Sequence, residues 1–305
     1  MIKRSKAYIG FIMPGFCIYT LFMIVPLFAA IYYSLFKWAG VGDMSFVGLE
    51  NFRRIFFDPR MSKIFFNALG NNFKYMLIAV FIFIPIQTFM AYLIHIRIPG
   101  HMMFRLLIFF PYVISSSIVG FFSLLVFDPN IGILNKLLKA IGLSAWVSAW
   151  FGDPAKAFPL LVSIIGWQGI GVGMAIILAN MKSIPNEVIE ASIIDGAGVW
   201  SRFWNIEFPF LKPSLINVTV LSSIFALTQF DLPFIIGGAI GGIDGKTDFL
   251  NLVFYRYTFG GAYMGETNIG FGASISVVLF FIILFIAMVQ NFGVKKIFKK
   301  SDSGD

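Results

Sequence analysis

Residues 183–212 decide the reading of this chain. They contain Ile184-Pro185-Asn186-Glu187-Val188-Ile189-Glu190-Ala191-Ser192-Ile193-Ile194-Asp195-Gly196-Ala197-Gly198 and then Ile206-Glu207-Phe208-Pro209, a polar island between two long apolar runs. Pro185 can open a helix in its first turn, where a missing N–H matters least. Glu187 falls near that helix's positive end. Gly196 can close it in a left-handed conformation that most residues avoid. A second short helix is expected from about Val199 to Ile206, stopping near Pro209. Two short helices joined at a glycine make a compact knob, and a knob projecting from a bilayer is shaped to fit a socket on a partner.

The flanking composition supplies the bilayer. The 305 residues are 58% hydrophobic and 12% charged and include 38 phenylalanines, which does not describe a soluble surface. Charge-free runs at 8–36, 75–94, 106–127, 157–181, 213–230 and 268–294 each reach or approach the roughly 20 residues that cross about 30 Å of hydrocarbon. Runs of this length without strand-like alternation fit helices and not barrel strands. The expectation is an all-α, polytopic membrane protein with six transmembrane helices.

Lys3, Arg4 and Lys6 precede the first run, and Lys295, Lys296, Lys299 and Lys300 follow the last, which places both termini in the cytoplasm. The acid-free turn 95–105 agrees. A net charge of +8 then reads as membrane topology and contact with anionic lipid, not as a nucleic-acid footprint. The first apolar run continues past the length of a secretory signal core and lacks a small-residue cleavage site, so it is expected to be a retained helix. Cys17, the single cysteine, lies within it and supports neither a disulfide nor a thiol-ligated metal.

The island also carries a family resemblance. Glu190-Ala191-Ser192, three residues, Gly196, nine residues, then Ile206-Glu207-Phe208-Pro209 resembles the Glu-Ala-Ala loop in the membrane subunits of binding-protein-dependent ABC importers. Ser192 replaces the usual second alanine and Phe208 the usual leucine. Ile184-Pro185, Asp195-Gly196-Ala197 and Lys212-Pro213 resemble the sugar-importing branch, which includes the maltose and glycerol-phosphate permeases. So do the external phrases Phe46-Val47-Gly48-Leu49-Glu50-Asn51-Phe52 and Gly132-Ile133-Leu134-Asn135-Lys136-Leu137-Leu138. One departure stands out: the family's threonine shortly before Gly-Gly-Pro is absent, since Ile235-Ile236 precede Gly237-Gly238 and Ala239 follows.

The resemblance implies the type I ABC importer membrane-domain fold. It divides the chain into a tail, first helix and external segment over 1–66, a transmembrane core over 67–292 containing the coupling loop 183–213, and a cytoplasmic tail over 293–305. It implies a multi-pass protein of the bacterial or archaeal cytoplasmic membrane, working with a second homologous permease subunit, two ATPase subunits that bind ATP and Mg, and an extracytoplasmic solute-binding protein. It assigns ATPase coupling to Glu190, Ala191, Ser192, Asp195, Gly196, Ile206 and Pro209, with no catalytic residue, metal or cofactor in this chain. Ile189, Ile193 and Trp204 are available to fill the socket.

Polar residues in the fourth and fifth runs are the candidate substrate contacts. Gln168, Ser223, Thr228, Gln229 and Asp231 could bond sugar hydroxyls, with Trp167 and Phe225 offering flat apolar faces, in the region where the resembled importers hold their substrate. Helix-to-helix hydrogen bonding is the plainer account of each polar group. Asp231 is costly at the end of a span unless paired or hydrated, and it also supports an alternative, a secondary transporter or channel using it for ion coupling, which leaves the knob unexplained.

Other motifs carry less. Gly245-Lys246-Thr247 ends like a phosphate loop, but the first glycine's position holds Ile240. His95 and His101 lack metal-site spacing. Gly169-Ile170-Gly171-Val172-Gly173 is followed by Met174 where a dinucleotide fingerprint needs glycine, so close helix contact through Gly169 and Gly173 is expected instead. Asn217-Val218-Thr219 matches a glycosylation acceptor inside a span, where it would be inaccessible.

Overall fold

Apolar runs in lipid must satisfy their own backbone hydrogen bonds, and here they do so as helices. The computed structural model describes residues 7–260 and 267–302. Lys3, Arg4 and Lys6 lie outside the described residues. Among the described residues, five helices are long and apolar enough to span a membrane: Gly10–Ser34, Pro59–His95, Ala157–Met181, Val199–Gly237 and Ile269–Phe292. A sixth crossing arises if His101–Val113 and Ser116–Val126 form one span bent by 95°.

Three expected helix boundaries need correction. The run 106–127 is not one helix: it breaks after Val113, with Ile114 extended and Ser115 leading into a new helix. The second span begins sixteen residues early, at Pro59 rather than 75. Asp58 explains the start, since its Oδ1 accepts the N–H groups of Arg60 (3.0 Å) and Met61 (2.9 Å) and the proline needs no partner. The helix does not stop at Pro209 but continues through it to Leu227.

Continuation through proline has a repeated local cause. Five-residue π-turns at Thr20–Ile24, Ala79–Phe83 and Phe203–Glu207 each precede an α-helix whose second residue is proline, namely Pro26, Pro85 and Pro209. Proline clashes with the carbonyl four residues back and cannot bond to it. In all three cases that carbonyl lies inside the π-turn, whose wider ring moves it aside.

The described residues fall into two compact units. In one, formed by the chain up to Phe65 and Val253–Phe281, Phe36–Lys37 pairs antiparallel with Ser45–Phe46 beside the helix Glu50–Phe57. Buried Asn51 donates to the carbonyls of Ser34 (2.8 Å) and Phe36 (2.9 Å), capping the end of the first span. Gly270 presses against the Phe36 carbonyl so closely that any side chain would collide.

The other unit, Phe66–Leu252 with the chain from Ile282 onward, is organised around Ala157–Met181. Its core joins Tyr92, Met174, Ile177, Met181, Phe203 and Leu211 in one cluster. Glycine permits the closest approaches: side chains added at Gly166 and Gly173 would strike Phe83 and Gln87, and one at Gly171 the backbone of Ile108 and Phe109. Gly169, expected to make such a contact, faces open space. Between Phe127 and Ala157, buried Asn135 holds the segment together, donating to the carbonyls of Pro129 and Ser148 and accepting from Trp150 Nε1 (2.8 Å). The N–H groups of Ile131 and then Asn130 bond the nearby Asp128 carboxylate and hold its pKa below the ordinary value.

Candidate functional site

Two places carry the chemistry, a knob and a cavity. The knob begins at Pro185, whose extended backbone caps the helix Asn186–Ile194, with Glu187 in the first turn. Gly196 stands at φ +78°. Its N–H bonds the Ile193 carbonyl (3.0 Å), and the Ala197 N–H bonds that of Ser192 (2.9 Å). This pair of bonds is a Schellman closure, which makes the turn rigid. After Gly198 the chain enters Val199–Arg202 and then the π-turn that carries it into the next span.

The top of this turn is apolar and exposed. Ile194 is 86% and Trp200 62% accessible, and Ile193, Val199 and Trp204 are also exposed. Glu190, Ala191, Asp195 and Gly196 share that exposed end. Ser192 is buried and gives its hydroxyl to the Ile189 carbonyl (2.6 Å), while Ile189 and Ile206 are half-buried. Pro209 is exposed in the helix below.

Beneath the knob lies a carboxylate that no surface reaches. Glu207 is 0% exposed, and its Oε1 accepts from Arg202 Nε at 2.9 Å. Oε2 lies 3.7 Å from His95 Nε2 and has no hydrogen-bond partner among the described residues. Tyr92, three residues before His95, donates its hydroxyl to the Val199 carbonyl (2.9 Å), and its ring packs 4.5 Å from that of Phe203.

The cavity measures about 900 Å³, within the range that holds small organic ligands. Two broken helices border it. At the first break Gln168 Nε2 donates to the freed Ile114 carbonyl (2.9 Å). At the second, where Phe208–Leu227 gives way to Asp231–Gly237, Asn72 donates to the carbonyls of Ala226 (2.7 Å) and Leu227 (3.2 Å), and Asn251 to that of Thr228 (2.7 Å). Irregular backbone at membrane depth is tolerated where protein or a wet cavity meets its polar groups. Gln168, Phe225, Thr228, Gln229 and Asp231 line this cavity together with Gln87.

No family model matches the chain. Individual proteins do. An arabinooligosaccharides transport system permease protein, AraP, of Halalkalibacterium halodurans is 33% identical over 267 residues, covering 85% of this chain and 78% of that protein. The chain belongs to the ABC transporter permease family. The probable ABC transporter permease protein YurN of Bacillus subtilis is 29% identical over 95% of this permease and 97% of its own length. The multiple sugar-binding transport system permease protein MsmF of Streptococcus mutans is 29% identical over 92% of each. The fold of the permease is similar to that in a crystal structure of a bacterial ABC transporter involved in import of the acidic polysaccharide alginate, with a TM-score of 0.76 at 19% identity over 97% of both chains.

In this permease two of the sequence-derived substrate candidates fall off the cavity wall. Ser223 is 1% exposed, accepts from Gln290 Nε2 (2.8 Å) and donates to the Thr219 carbonyl (2.8 Å), so it joins helices. Trp167 is 51% exposed and does not line the cavity. Sequence reasoning passed over Asn72, Asn251 and Gln87. Asn71-Asn72 inside an amphipathic stretch was the available signal for the first of these, because paired amides near a span need partners.

Proposed function

We propose that this permease is one of two membrane subunits of an ATP-driven importer for a carbohydrate, a di- or oligosaccharide. It supplies half of the translocation pathway and transforms nothing chemically. Two cytoplasmic ATPase subunits bind ATP and Mg and dock on the knob, while an extracytoplasmic solute-binding protein delivers the sugar. Both termini face the cytoplasm.

The exposed apolar crown on a rigid turn carries this reading. Ile193, Ile194, Val199, Trp200 and Trp204 present aromatic and aliphatic surface to water at the edge of a membrane domain, with Glu190 and Asp195 beside them. Contiguous exposed apolar surface of that kind marks an interaction site. The Schellman closure holds its shape, so a push from a docked partner moves the knob as a body. The sugar assignment rests on the cavity, where Gln229 and Thr228 offer hydrogen-bond partners beside the Phe225 ring, and on relatives named for sugar transport.

The test is ATP hydrolysis by the complete transporter in liposomes, with its binding protein, over arabino-oligosaccharides, maltose, lactose and alginate oligomers. Stimulation by one of these with concentrative uptake of the same sugar is expected. Uptake that proceeds without ATP would overturn the assignment.

A further inference from the structure

Glu207 is too well enclosed to touch a partner, yet it sits directly under the surface that the proposed partner would press. A buried carboxylate is retained only where paired, and its partners here come from two directions. Arg202 belongs to the knob, whereas His95 belongs to the helix Ile84–His95. Tyr92 adds a second tie between the same two pieces through the Val199 carbonyl, and its contact with Phe203 a third. The knob is thus fastened to a helix distant from it in sequence.

That helix also reaches the cavity. Gln87, in its first turns, lines the cavity wall and is buried against Gly173, where any larger residue would displace it. Its Oε1 has no hydrogen-bond partner among the described residues. Five residues separate Gln87 from Tyr92, about 7.5 Å of helix rise, and eight separate it from His95, about 12 Å. One short, stiff element carries the clamp at one end and a cavity amide toward the other.

We infer that Ile84–His95 is the rod through which the knob and the cavity are mechanically linked, and that Glu207, Arg202 and Tyr92 are positioning residues that clamp the knob to it. The inference deepens the coupling reading above and rests on it. Displacing the knob drags Val199 and Glu207, and these draw the rod along, Val199 through the bond its carbonyl accepts from Tyr92 and Glu207 through its proximity to His95. Gln87 then shifts against the notch at Gly173, and the cavity wall changes.

The experiment places a reporter in the cavity and breaks the clamp. In a Cys17→Ala background, Ser222→Cys lines the cavity, and its modification rate by a water-soluble methanethiosulfonate is measured in the complete reconstituted transporter with and without Mg-ATP. The parent is expected to change rate at least threefold with Mg-ATP. Glu207→Gln, Tyr92→Phe and their combination should reduce that response to less than 1.5-fold while the ATPase subunit still copurifies, and Arg202→Lys, which keeps the charge, should retain it. A purely structural role would not separate Arg202→Lys from Glu207→Gln at equal thermal stability. A full response in Glu207→Gln/Tyr92→Phe overturns the rod while leaving the coupling reading intact. A parent that fails to respond, or to bind an ATPase, removes the coupling reading and the rod with it.

Discussion

Replacing Asn72 by alanine tests how the cavity's second helix break is held. Asn72 is fully buried, donates to the carbonyls of Ala226 and Leu227, and accepts the Leu250 N–H at 3.0 Å. Alanine leaves three backbone groups without that partner. A buried polar group left unsatisfied costs about 1–3 kcal/mol, and the longer Leu227 bond sits at the low end, so the sum comes to about 3–5 kcal/mol after partial relaxation. Asn72→Asp should be at least as damaging, since it keeps the acceptor for Leu250 but turns oxygen toward both carbonyls. Thermal unfolding of each variant in the same lipid nanodisc measures the loss. Hydrogen exchange at the Leu250 amide reports whether it is local to this site. If Asn72→Ala stays within about 0.5 kcal/mol of the wild type, the range of ordinary surface changes, then the amide is not what holds the break.

Five further outcomes are expected. Gly196→Ala meets no neighbouring atom and should cost only the left-handed strain, about 1–2 kcal/mol, with coupling retained. Gly196→Pro also loses the bond to Ile193 and should abolish binding-protein-stimulated ATP hydrolysis in a protein that still inserts, so normal stimulation would contradict the turn's role. Gly173→Ala should lower thermal stability by about 1–3 kcal/mol through overpacking against Gln87, whereas Gly169→Ala should be neutral, and equal values for the two would refute the packing account. Phe225→Ala or Gln229→Ala should each weaken the apparent sugar affinity about fivefold, corresponding to about 1 kcal/mol, and unchanged uptake at subsaturating sugar would move the site elsewhere. A cysteine at position 301, in a Cys17→Ala background, should react only with reagents reaching the cytoplasmic side, and labelling from outside intact cells would reverse the topology.

The helices were legible because a charge-free run has few alternatives in lipid, and the knob's turn because Gly196 and Pro185 are strong local signals. What stayed hidden was set by partners far along the chain. The break at Ile114 is sealed by Gln168, 54 residues away, and its local signals, Pro111 and Ser115-Ser116-Ser117, sit inside a charge-free run long enough to cross as one helix. The early part of the second span fell outside the apolar run that starts at 75 because Asn67, Asn71, Asn72 and Lys74 lower its hydropathy. Three of these spend their amides inside the fold, Asn67 and Asn71 on the Gly245 carbonyl and Asn72 on the second break. Pro209 read as a stop because proline usually ends a helix, and a π-turn leaves no compositional mark. Glu207 was visible only as part of a motif, since its enclosure depends on Arg202 nearby and His95 more than a hundred positions earlier.

We propose that the energy-supplying subunit docks on the knob. A photoreactive amino acid at Ile194, at the exposed tip, tests this in membranes containing the complete transporter, with the cross-linked product identified by mass spectrometry. A covalent link to a nucleotide-binding ATPase subunit is expected, lost when Gly196→Pro is introduced. Cross-linking confined to lipid, or to no protein that binds ATP, would contradict it.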